Sequence, residues 1–143
     1  MDNEDVLERL IGLHPALFRA TPLPCPSRLP VGWFALLDSL CCQIELLLDL
    51  DGASRFRPLQ IKEKLGLLRI YFAYDEVSKI SPEGEAQAVV SREQISALID
   101  RAVERSELTC CECGAPGKIR RRDGWLLTLC NTHEQVWEPT GLR

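Results

Sequence analysis

A chain of 143 residues, 45% apolar and 27% charged, has the composition of a globular protein with one main core and room for a small appended module. Its net charge of −4 excludes attachment to nucleic acid or anionic membrane through bulk positive charge. The greasiest stretch, Trp33 to Leu50, is cut by Asp38, Gln43, Glu45 and Asp49 and falls short of the roughly eighteen uninterrupted apolar residues of a membrane span.

The opening Met1-Asp2-Asn3-Glu4-Asp5 is acidic where a secretory signal needs positive charge, which predicts a cytoplasmic chain with reduced thiols. Residues 4 to 11 place Val6, Leu7, Leu10 and Ile11 at helical spacing, a short lid helix capped by Asp2 or Asn3. Prolines 22, 24, 26 and 30 then predict an ordered connector, because each removes a backbone donor and biases its predecessor to extended geometry. Trp33, Leu36, Leu37, Leu40, Cys41, Ile44, Leu47 and Leu48 follow the i, i+3, i+4, i+7 pattern of a central helix that stops near Asp51-Gly52.

From Leu59 the period changes to two, and Leu67 to Tyr74 is rich in β-branched, aromatic and leucine residues. Two strands are expected, paired around Glu63-Lys64-Leu65-Gly66, with cover on both faces of the second. An acidic loop spans Asp75 to Ala88. Ser91-Arg92-Glu93-Gln94 reads as a capping box for a second amphipathic helix through Ile95, Leu98, Ile99, Ala102 and Val103, ending near Ser106. The expected organisation is an amino-terminal helix and connector over 1–30, an α+β core over 31–108 with two main amphipathic helices on a small antiparallel sheet, and a carboxy-terminal ribbon over 109–143.

The strongest chemical signal lies in that last segment. Cys110-x-x-Cys113 and Cys130-x-x-His133, separated by sixteen residues, have the two-knuckle spacing of a structural zinc site. Between them Asp123-Gly124, flanked by Lys118–Arg122 and Trp125–Leu129, has the dipeptide favoured in a type I′ hairpin. Four protein ligands would leave no open position for water, so the expected Zn2+ is structural. Cys111 is a bystander or a minor alternative ligand, and reduced thiols without metal are the plainer reading of the same residues. His133 has no second histidine at protease-helix spacing, and no His-x-Glu precedes the first knuckle as in a nucleobase deaminase. With no glycine-rich phosphate loop, no Gly-x-Ser-x-Gly and no paired-carboxylate signature, the chain is expected not to be an enzyme.

Two weaker surfaces remain. Lys118, Arg120 and Arg122 would share one face of the ribbon hairpin, a strip that could contact phosphates and carry a nucleic-acid-binding alternative. Lys62, Lys64, Arg69 and Tyr71 would form a partner-binding surface on the first hairpin, or only its solvated tip and edge. His14 and the cysteines at 25, 41 and 42 have no neighbours in sequence that suggest catalysis.

Gly32-Trp33-Phe34, Gln60-Ile61-Lys62-Glu63-Lys64-Leu65-Gly66-x-Leu68-Arg69-x-Tyr71, and Cys110-x-Glu112-Cys113-Gly114-Ala115-Pro116-Gly117 with Gly124-Trp125 and Cys130-x-x-His133 together resemble a group of small, mostly uncharacterised bacterial and phage accessory proteins that end in a zinc-ribbon-like module. The resemblance covers roughly residues 30 to 135, with Leu65 standing where that group has an aromatic. It implies an inhibitor or immunity protein from a phage or toxin-bearing locus and transfers no catalytic residue. The functional expectation is a non-enzymatic, zinc-stabilised module that occludes a protein partner such as a toxin or defence enzyme.

Overall fold

Asp5 caps the first helix, its carboxylate accepting from the Leu7 N–H at 2.9 Å, so α1 runs Val6–Leu13, two residues later than the apolar spacing predicts. Val6, Leu7 and Leu10 are 2%, 5% and 0% exposed, which makes α1 part of the core and corrects its expected role as a lid. The computed structural model describes residues 5–19, 23–24, 28–76 and 90–139. Part of the proline-rich connector, with Cys25, and most of the acidic loop lie outside them.

A 3-10 turn over Val31–Trp33 leads into α2, Phe34–Leu47, which buries Leu36, Leu37, Leu40, Cys41 and Ile44 as its periodicity requires. The helix stops before Asp51-Gly52, and Asp49 caps a separate short helix, α3, Leu50–Arg55, by accepting from the Gly52 N–H at 2.6 Å. The chain enters β1, Phe56–Lys64, and returns as β2, Leu67–Tyr74, antiparallel to it. Leu65 and Gly66 have φ of 55° and 83°, both in the left-handed region, which is the type I′ geometry that matches strand twist. Glu63 Oε2 accepts from the Gly66 N–H at 2.8 Å and fastens the tip.

One face of this sheet is buried through Phe56, Pro58, Ile61, Leu68, Phe72 and Tyr74, with a register shift between Pro58 and Gln60. The other carries Arg57, Lys64, Arg69 and Tyr71 exposed and Lys62 half-buried. The expectation of cover on both faces is therefore corrected: a two-stranded sheet has one helical layer against it, and α4, Arg92–Ser106, packs on that side. The capping box at Ser91 is present in both directions: Ser91 Oγ accepts from Gln94 N–H, and Gln94 Oε1 accepts from Ser91 N–H. Arg92 stacks over the Phe72 ring at 4.3 Å and donates to the Phe72 carbonyl at 3.2 Å, fixing the start of α4 to β2.

The second hairpin pairs β3, Lys118–Arg122, with β4, Trp125–Leu129, through the expected turn, Asp123 at φ 50° and Gly124 at φ 83°. A six-residue helix, α5, Asn131–Val136, follows. The architecture is α+β: among the described residues there are five α-helices and two small antiparallel sheets. Cys110, Cys111, Leu127, Leu129, Cys130 and Trp137 join the same hydrophobic cluster as Leu10, Trp33 and Leu68.

Candidate metal centre

The two knuckles meet because one backbone contact ties the first knuckle to β4 and two others close its own turn. Cys111 N–H donates to the Thr128 carbonyl at 2.9 Å, Cys110 N–H to Ala115 O at 2.8 Å, and Gly114 N–H to Cys110 O at 2.8 Å. Gly114 sits at φ 81°, a conformation costly for any residue with a Cβ, and closes the knuckle turn. The second knuckle is the entry to α5, where His133 N–H donates to Cys130 Sγ at 3.5 Å.

As a result one donor atom each from Cys110, Cys113, Cys130 and His133 lies within 4.8 Å of the other three, a group that could hold a metal ion. Cys113 Sγ is 3.8 Å from Cys130 Sγ, and His133 Nδ1 is 3.6 Å from Cys110 Sγ and 3.3 Å from Cys130 Sγ. Cys110 and Cys130 are buried, His133 half-buried and Cys113 exposed, so the cluster sits at the rim of the core. The Cys130 thiol is held down to about 6, chiefly because the His133 backbone N–H stabilises its anion. Cys113 is drawn down by the Ala115 backbone but raised by desolvation and by the Cys110 and Cys130 sulfurs, ending above the ordinary thiol value. Cys111 is buried with its backbone in the knuckle and is absent from the four-donor group.

Gly32 is the unforeseen part of this site. Its N–H donates to Cys111 O at 2.9 Å, and a Cβ there would sit 2.2 Å from Cys110 O. Trp33, fully buried, donates its indole N–H to Thr109 O at 3.0 Å. The sequence signal was the Gly32-Trp33 pair at the head of α2, which reads as a helix start rather than as a dock for a cysteine turn 78 residues later.

The ribbon's basic residues are placed differently from one another. Arg120 donates to Leu129 O at 3.3 Å and Asn131 Oδ1 at 2.8 Å. Arg122 pairs with Glu134 at 2.9 Å, donates to the Trp137 carbonyl, and lies 5.5 Å from that indole ring. Both guanidinium groups thus clamp α5 and the following turn against β3, while Lys118 is exposed. On the first hairpin Lys62 stands directly opposite Arg69, with its ammonium 6.0 Å from the Tyr71 ring, and Lys64 faces Leu67. Among the described residues no carboxylate pairs with Arg57, Lys62, Lys64 or Arg69.

A further constellation escaped the sequence reading. His14, only 4% exposed, has Nε2 2.6 Å from Asp38 Oδ1 and Nδ1 2.5 Å from Glu45 Oε1. The partners are 24 and 31 residues away, and no local pattern announces them.

Comparison of the chain with protein-family models, curated proteins and solved structures finds no match. No helix among the described residues is long and apolar enough to cross a membrane.

Proposed function

We propose that this chain is a non-enzymatic, zinc-stabilised binding module that occludes an acidic surface of a protein partner with the outer face of its first hairpin. The observation that carries the reading is Lys62 set opposite Arg69. Like charges directly across an antiparallel pair are destabilising, and here they stand with Arg57, Lys64 and the half-exposed Tyr71 ring on one open face of a chain whose net charge is −4. Such local violations are tolerated where a partner relieves them, and arginine and tyrosine are favoured anchors. A toxin or defence enzyme is the kind of partner the inhibitor reading names.

Zinc is supported by the donor spacing. Zn–S bonds of about 2.3 Å and Zn–N bonds of about 2.0–2.1 Å in a tetrahedron give S···S edges of about 3.8 Å and S···N edges of about 3.6 Å, against 3.8, 3.6 and 3.3 Å here. Three thiolates and Nδ1 of His133 complete the coordination shell, so the ion's contribution is to hold the knuckles rather than to activate water. Metal analysis should find one zinc that Cys113→Ser abolishes.

The binding reading is tested by capturing partners from cells with wild-type protein and with the Lys62→Glu, Arg69→Glu double variant. A stoichiometric protein complex that the double variant loses, with its melting temperature kept, supports it, and the complex should weaken with salt. Nucleic acid in place of protein would transfer the face to the alternative reading, which the internal roles of Arg120 and Arg122 do not favour on the ribbon. No complex under either condition would end the proposal.

A further inference from the structure

His14 lies at the C-terminal end of α1, its N–H bonded to Leu10 O at 2.9 Å, and its ring enters a notch on α2. Asp38, Cys42 and Glu45 project from one face of that helix, at i, i+4 and i+7. An imidazole with ionised carboxylates at both nitrogens meets a simple constraint: carboxylates only accept, and the neutral ring has one N–H. With Nδ1–H donating to Glu45, Nε2 faces Asp38 Oδ1 across a position that either a proton or a metal ion can fill.

We infer that His14 Nε2, Asp38 and Cys42 form a second metal site, for a divalent transition-metal ion, with Glu45 as the carboxylate that orients the histidine. Three observations support it. One donor atom each from His14, Asp38 and Cys42 lies within 4.8 Å of the other two. Metal-bound histidines characteristically give their second N–H to a carboxylate, the relation Nδ1 has with Glu45. The nitrogen, carboxylate and thiolate donors are those preferred by zinc, cobalt or nickel rather than by magnesium or calcium.

Uptake of the ion sends to solvent the proton shared between Nε2 and Asp38 and the proton of Cys42 Sγ. It parts the 2.6 Å His14–Asp38 contact to about 3.4 Å, the edge of a tetrahedral site with bonds of about 2.0–2.1 Å, a small rotation for a half-buried Asp38. The fourth position opens beside exposed Cys42 and takes water or an outside donor. The ion pins α1 to α2, a role independent of the binding reading above.

The test is cobalt(II) titration of the full chain, followed by thiolate-to-cobalt charge-transfer absorption and by equilibrium dialysis. The wild-type protein should take two equivalents. Cys42→Ser, at an exposed position, with Asp38→Asn, at a half-buried one, should take one, held by the carboxy-terminal cysteines. Glu45→Gln should keep the second equivalent but bind it roughly 10- to 100-fold more weakly. Cys113→Ser should lose the other equivalent and retain this one, which separates failure of this site from failure of the carboxy-terminal one. A single wild-type equivalent unaffected by the Cys42 and Asp38 changes, or a second equivalent that survives them, overturns the assignment.

Discussion

Gly32 and Gly12 make opposite demands on the same side chain. A methyl group at Gly32 would lie 2.2 Å from Cys110 O and 2.6 Å from the Cys111 carbonyl carbon, so backbone must move, whereas Gly12, inside α1, has nothing within 4 Å. Gly32→Ala is expected to cost about 3 kcal/mol through overpacking, while Gly12→Ala should gain about 0.5–1 kcal/mol from helix propensity. Urea unfolding of the two variants checks both signs. Cys41 sets the alkaline limit. Burial first, then Glu45 and Asp38, push its thiol from 9.0 up to about 12. The folded state therefore keeps a proton that the unfolded chain releases, so its contribution is complete below pH 9 and lost as pH rises toward 12. The protein should lose stability above about pH 9, and Cys41→Val should flatten that fall. An unchanged profile in the variant would place the alkaline limit elsewhere.

At the scale of elements, the first hairpin spends stability on its outer face. Arg69→Glu turns the Lys62 pair from repulsive to attractive and should raise stability by about 0.5–1 kcal/mol while abolishing the proposed partner binding. A variant both looser and unable to bind would mean the face is merely structural. The elements themselves were largely readable. Eight apolar positions at helical spacing located α2, Ser91 and Gln94 located the start of α4, and Asp123-Gly124 located the ribbon turn. The four cysteine and histidine donors were likewise legible, because each knuckle is local and the metal-binding pattern is written in its spacing. What escaped the reading is non-local. The one-sided burial of β2 depends on where α4 docks, which an apolar run cannot reveal. The His14 constellation joins the end of one helix to the face of another, and α3 starts at a cap from Asp49 that the apolar spacing does not signal.

Across the whole molecule, the candidate metal cluster is not an appendage. Gly32 and Trp33 bond to Cys111 and Thr109 at the head of α2, and Ser106 Oγ accepts from Leu68 N–H at 3.1 Å where α4 delivers the chain to the first knuckle. Structural zinc sites bind with about 10 kcal/mol in model peptides, and roughly 3 °C of melting temperature accompanies each kcal/mol at this size, so chelation should lower Tm by roughly 20 °C or more. The near-ultraviolet dichroism of Trp33 should change in the same transition. Loss confined to the ribbon, with the main melting unchanged, would contradict this coupling.

Thr128 carries that coupling one step further. Its hydroxyl donates to Gly66 O at 2.8 Å and its carbonyl receives Cys111 N–H at 2.9 Å, while a Cβ on Gly66 would touch the Leu126 and Leu127 backbone at 3.4 Å. A single fully buried residue thus joins the tip of the cationic hairpin to the cysteine turn. If loss of the proposed zinc tilts that tip, the metal and the proposed partner would hold each other in place by the same free energy, and a cell that starves the protein of metal would also loosen that grip.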